Sequence, residues 1–69
     1  MKLYFQHSDG SESIVCETEE GRYVSDALED LHKRNPNYKT YYQRTYMDGN
    51  GWVWIDVGSH TEFYIVKEV

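Results

Sequence analysis

A single helical stretch stands between two hairpin signals in this chain, and that arrangement limits its possible folds more than any other feature. The stretch is Ser25 to Asn35, where Val24, Ala27, Leu28 and Leu31 recur at helical spacing and form an apolar stripe. Ser25 suits an N-cap, and Asp26, Glu29 and Asp30 place negative charge in the first turns. His32, Lys33 and Arg34 place positive charge at the other end, with Glu29–Lys33 and Asp30–Arg34 as i,i+4 pairs. Pro36 cannot continue the helix and restricts Asn35 before it. A helix of about ten residues does not persist alone in water, so it must dock on a sheet.

Asp9-Gly10, between two β-like runs, is the first hairpin signal. A two-residue turn there pairs Phe5 with Ile14, Leu3 with Cys16, Tyr4 with Val15 and Lys2 with Glu17. A slip by one residue would set Phe5 against Ser13 and mix the two faces, so the two-residue turn is the expected one. Asp48-Gly49-Asn50-Gly51 sets the second hairpin. Two- or four-residue loops would bring Arg44 onto the face of Val53, Ile55 and Val57, burying an unpaired guanidinium. A three-residue loop with Gly51 in the left-handed position instead pairs Tyr46 with Trp54 and Arg44 with Asp56.

The last strand, Glu62 to Lys67, is apolar through its middle, as is Leu3-Tyr4-Phe5, which suggests inner strands with more polar ones at the edges. The expected fold is therefore α+β, a two-layer structure with one helix on one face of a five-stranded, largely antiparallel sheet. Its elements run β-β-α-β-β-β, with residues 1–69 as a single domain.

One helix covers one sheet face. Val53, Ile55 and Val57 share a face and, being aliphatic, should meet it, with Leu3, Phe5, Phe63 and Ile65 on the same side. The opposite face then carries Tyr4, Tyr42, Arg44, Tyr46, Trp52, Trp54 and Tyr64, alongside Lys2 and Asp56. Tyr, Trp and Arg are the residue types concentrated at binding hot spots, and these seven are the candidate partner-binding residues. The competing reading is that the rings pack on one another to strengthen a small sheet.

Eight of the eleven aromatic residues lie between Tyr38 and Tyr64, more than the core of a 69-residue chain can hide. The net charge of −5 disfavours nucleic acid and anionic lipid as partners, because such binding draws on excess Lys and Arg. The lone Cys16 allows no internal disulfide, the start lacks the apolar region of a signal peptide, and no stretch approaches a membrane span. A cytoplasmic setting is the expectation. No catalytic, metal or cofactor signature emerges. His7, His32, His60 and Cys16 lack ligand spacing, and Ser59-His60-Thr61-Glu62 are too close in sequence to converge as a triad. The expected function is a non-catalytic module that binds a protein partner or a second copy of itself. The alternative is a nucleic-acid-related role, either weak single-strand binding by stacking or acidic mimicry.

The segments Asn35-Pro36-Asn37-Tyr38-Lys39, Asp48-Gly49-Asn50-Gly51-Trp52 and Ser59-His60-Thr61-Glu62-Phe63-Tyr64-Ile65 resemble those of small uncharacterised proteins of phages and prophages of Gram-positive bacteria. The resemblance implies a bacterial cytoplasmic location and a role in adjusting a host protein, and it transfers no functional residues.

Overall fold

A computed structural model of the chain describes residues 1–39, 43–59 and 61–68. The elements are β1 (Lys2–Gln6), β2 (Glu12–Glu17), α1 (Tyr23–Arg34), β3 (Arg44–Met47), β4 (Val53–Asp56) and β5 (Phe63–Lys67). They form an α+β fold whose five strands lie in the order β2-β1-β5-β4-β3, every neighbouring pair antiparallel. The two apolar runs, β1 and β5, lie side by side within the sheet, and the polar β2 and β3 are its edges. Leu3, Phe5, Ile55, Val57, Tyr64 and Val66 pack with Ala27 and Leu31 of α1 to make the core.

The second hairpin has the expected register. Arg44 lies opposite Asp56 and Tyr46 opposite Trp54, with Gly51 at φ +81° closing the loop. Gly51 N–H donates to the Asp48 carbonyl and Asp48 N–H to the Trp52 carbonyl.

The first hairpin differs from expectation. His7 N–H donates to the Ser11 carbonyl at 2.7 Å, so Ser8, Asp9 and Gly10 form a three-residue loop with Gly10 at φ +91°. The Asp9 carboxylate fixes this turn by accepting from the Ser11 N–H at 2.9 Å and the Ser11 hydroxyl at 2.6 Å. Phe5 accordingly faces Ser13 and Tyr4 faces Ile14, the slip the two-residue turn would have avoided. A bulge between these pairs and Leu3–Cys16 restores the expected register beyond it. The extra residue is Val15, which packs against the core while Ile14 goes to the opposite face.

The helix begins at Tyr23, two residues before the expected cap, and the Ser25 hydroxyl donates back to the Arg22 carbonyl rather than capping the first turn. Tyr23 packs on the core, and the Thr18 hydroxyl donates to Asp26 at 2.8 Å. Both contacts favour the longer helix over the local cap. Its far end is as expected: Asn35 N–H donates to the Leu31 carbonyl, and Pro36 follows. Glu29–Lys33 and Asp30–Arg34 both form.

In β5 the expected alternation is inverted. Tyr64 and Val66 face the helix beside Phe5 and Leu3, whereas Phe63 and Ile65 face away. The Tyr64 hydroxyl donates to Asp30 of α1 at 2.7 Å, which lets a polar-tipped ring occupy the buried position. Tyr64 is 0% exposed and so is no part of a contact surface.

Candidate functional site

The strand registers place one large apolar residue from each strand in a single row across the helix-free face. Ile14 lies opposite Tyr4, Tyr4 opposite Ile65, Ile65 opposite Trp54, and Trp54 opposite Tyr46. At strand spacing of about 4.8 Å the row is roughly 19 Å long. Its middle is sealed. Ile65 has 0% exposure although the helix lies on the other side of the sheet, so the surrounding rings supply its cover. The ends are open, with Ile14 at 58% and Tyr46 at 41% exposure.

The rings hold one another in place. Tyr46 stacks on Trp54 with centroids 6.3 Å apart and planes 9° from parallel, and Phe63 meets Trp54 edge-on at 5.7 Å. Asp48 fixes Trp54 from the hairpin loop, accepting its indole N–H at 2.7 Å. The other Asp48 oxygen accepts the backbone N–H of Asn50 and of Trp52. The Trp54 indole, followed by these backbone donors, holds the Asp48 carboxyl below the usual carboxylate range. One aspartate thus ties the loop to the aromatic row.

Charged groups flank the row on both sides. Lys67 Nζ lies 4.2 Å from the centre of the Trp52 ring and 4.9 Å from that of Tyr4, and it pairs with Glu12. Arg44 lies over Tyr46 at 5.6 Å and within 3.8 Å of Asp56, its side chain 68% exposed. Lys2 lies opposite Glu17 in the β1–β2 register. The face therefore carries Lys2, Arg44 and Lys67 against Glu12, Glu17, Asp48 and Asp56, a formal charge of −1, while the chain as a whole is −5. The excess negative charge belongs to the helix and the loops.

Of the seven candidate residues, Tyr4, Arg44, Tyr46, Trp52 and Trp54 share this surface. Tyr64 points into the core, and Tyr42 lies outside the described residues. The structure adds Ile14, Phe63, Lys67 and Glu12 to this face, with Ile65 buried beneath it. Ile14 was within reach of the sequence, since reading Ser8-Asp9-Gly10 as a glycine-closed loop like Gly49-Asn50-Gly51 places it opposite Tyr4.

On the helix side, a groove of about 870 Å³ opens at the end of α1, its apolar floor formed by Phe5, Leu31, Tyr38 and Val57. Its polar neighbours are engaged: the Tyr38 hydroxyl donates to the Val57 carbonyl at 2.7 Å, and His7 Nε2 lies 2.8 Å from the Ser13 hydroxyl. Arg34 stacks 4.2 Å over Phe5 and pairs with Asp30. Burial, then the charges of Asp26 and Asp30, pushes the Cys16 thiol up and away from the reactive thiolate. Among the described residues, no three His, Cys, Asp or Glu side chains gather as a metal site would require, and no helix is long and apolar enough to cross a membrane. Comparison of the chain with protein-family models, curated proteins and solved structures finds no match.

Proposed function

We propose that this chain is a non-catalytic interaction module that engages a protein partner, or another copy of itself, through the aromatic row of the helix-free sheet face. The observation that carries this reading is the continuity of the row, one apolar residue from each of five strands with both ends exposed. Ring packing alone accounts for the sealed centre at Ile65. It does not account for Ile14, which is 58% exposed on an edge strand. Stacking of unpaired bases is the weaker reading, because Lys2, Arg44 and Lys67 on the face are outnumbered by Glu12, Glu17, Asp48 and Asp56 and leave no excess positive charge for phosphates.

The test is a photoreactive phenylalanine analogue placed at position 46 and, as a control, at the exposed helix position 29, followed by irradiation in whole-cell extract. Position 46 should give several-fold more protein adduct than position 29. Equal yields from the two positions would overturn the reading.

A further inference from the structure

We infer that Asn50 is a site of spontaneous covalent modification in the folded chain, where the Gly51 nitrogen closes on its side-chain amide and turns residue 50 into aspartate or isoaspartate. An Asn or Asp followed by glycine allows closure of a five-membered ring, because glycine has no Cβ to obstruct the attacking nitrogen. Three positions have this chemistry: Asp9-Gly10, Asp48-Gly49 and Asn50-Gly51. The fold sets them apart. Asp9 is held by the Ser11 hydroxyl and N–H, and Asp48 by the Trp54 indole and the N–H groups of Trp52 and Asn50. These bonds keep both carboxyls below the usual carboxylate range, so they stay ionised, and a carboxylate is a poor electrophile. Asn50 is exposed, and among the described residues its side-chain amide makes no hydrogen bond.

The loop leaves the reacting peptide unit room to turn. The Asp48 carboxylate grips the N–H groups of residues 50 and 52, on either side of the Asn50–Gly51 peptide. The Gly51 N–H itself is held by the Asp48 carbonyl at 3.2 Å, the longest of the turn and loop backbone bonds among the described residues. Rotating that one peptide breaks this bond and leaves both grips in place. It also moves Gly51 away from φ +81°, which glycine tolerates in either direction. The freed nitrogen bonds to Asn50 Cγ as the Cγ–Nδ2 bond breaks, and the amide nitrogen leaves as ammonia with the Gly51 proton. Water then opens the imide ring. Cleavage of the bond to Cγ gives aspartate, and cleavage of the bond to the main-chain carbonyl carbon gives isoaspartate. Either product adds a negative charge beside Asp48. Isoaspartate also routes the main chain through Cβ and Cγ, so Asp48 can no longer hold both N–H groups while it reaches the Trp54 indole. Modification at Asn50 therefore loosens the indole of the aromatic row, whether or not that row is a contact surface.

The wild-type chain is aged at one mildly alkaline pH, both folded and in urea, and digested with trypsin, which releases residue 50 within the peptide 45–67. Conversion of Asn50 is read by mass spectrometry as one added mass unit and as two isomers separable by chromatography. Folding should slow that conversion by no more than about tenfold, the cost of turning one weakly held peptide. Asp9 and Asp48 should stay unisomerised in the folded chain over the same period. Tryptophan emission should shift to the red as isoaspartate accumulates. Asn50→Gln, whose longer side chain closes a ring far less readily, should age without that shift. Asn50→Asp, with the charge on an unaltered backbone, should keep the emission of the fresh chain. Protection of Asn50 beyond about tenfold, or conversion of Asp9 or Asp48 at an equal rate, would overturn the assignment. An aged chain rich in isoaspartate with unchanged emission would overturn the loosening of the indole.

Discussion

Tyr64→Phe removes one oxygen atom and tests both the inverted alternation of β5 and the link between sheet and helix. The Tyr64 side chain is 0% exposed, and its hydroxyl donates to Asp30, whose own side chain is 18% exposed. Hydrogen bonds to a charged acceptor contribute about 1.5–3 kcal/mol. Arg34 still pairs with Asp30 in the variant and water reaches part of the carboxylate, so the loss should fall near the lower bound, about 1–2 kcal/mol. For a domain of this size each kcal/mol lowers Tm by roughly 4–8 °C. The pH dependence is more diagnostic. Burial, then the hydrogen bond to Asp30 and its charge, pushes the Tyr64 hydroxyl well above its ordinary value of 10.0. The folded chain therefore keeps this proton where the unfolded chain loses it. The stabilisation is complete below the unfolded value and declines as pH rises above it, by about 1.4 kcal/mol per pH unit. Urea unfolding followed by tryptophan fluorescence should show wild type and variant separated by a constant gap up to about pH 9, and that gap should close towards about pH 11. A gap unchanged at alkaline pH, or no gap at neutral pH, would refute the placement of this hydroxyl against Asp30.

Two further substitutions probe the opposite face. Ile65→Ala should cost about 2–5 kcal/mol in chemical denaturation, the range for a fully buried aliphatic, although Ile65 lies on the side away from the helix; a surface-like loss below about 0.5 kcal/mol would mean that the rings give it no cover. Asp48→Ala should lower Tm at neutral pH and flatten the acid transition. The folded Asp48 carboxyl titrates below the unfolded one, so its stabilisation is present above the unfolded value and is lost as pH falls through the folded one. An unaltered acid transition followed by tryptophan fluorescence would count against the Asp48–Trp54 contact.

The reach of sequence reasoning differed between elements for identifiable reasons. The β3–β4 hairpin was legible because the alternatives carried different costs, and one of them buried the Arg44 guanidinium. The β1–β2 hairpin offered no such penalty. Both registers place tolerable residues on both faces, and the choice passes to Asp9, which grips Ser11, and to Gly10, whose positive φ suits the third loop position as well as a tight turn. In β5 the run Phe63-Tyr64-Ile65-Val66 is apolar at every position, so alternation carries no information about which residues face the helix. The decision rests on a contact distant in sequence, the Tyr64 hydroxyl reaching Asp30, which no local pattern encodes.

The same contact explains why the aromatic row is as apolar as it is. With Tyr64 turned inward to meet Asp30, Phe63 and Ile65 must turn outward, because neighbouring side chains in a strand occupy opposite faces. The central strand thus presents a wholly buried isoleucine to the side that no helix covers. Such a residue needs a roof, and Tyr4, Trp54 and Phe63, with Asp48 steadying the indole, are the rings in position to provide it. The roof closes over β1, β5 and β4 and gives out at the two edge strands, where Ile14 and Tyr46 have no further strand beside them. Stability therefore accounts for the middle of the row and leaves its ends unexplained. Those ends, roughly 19 Å apart, are where a contact partner has the most to gain.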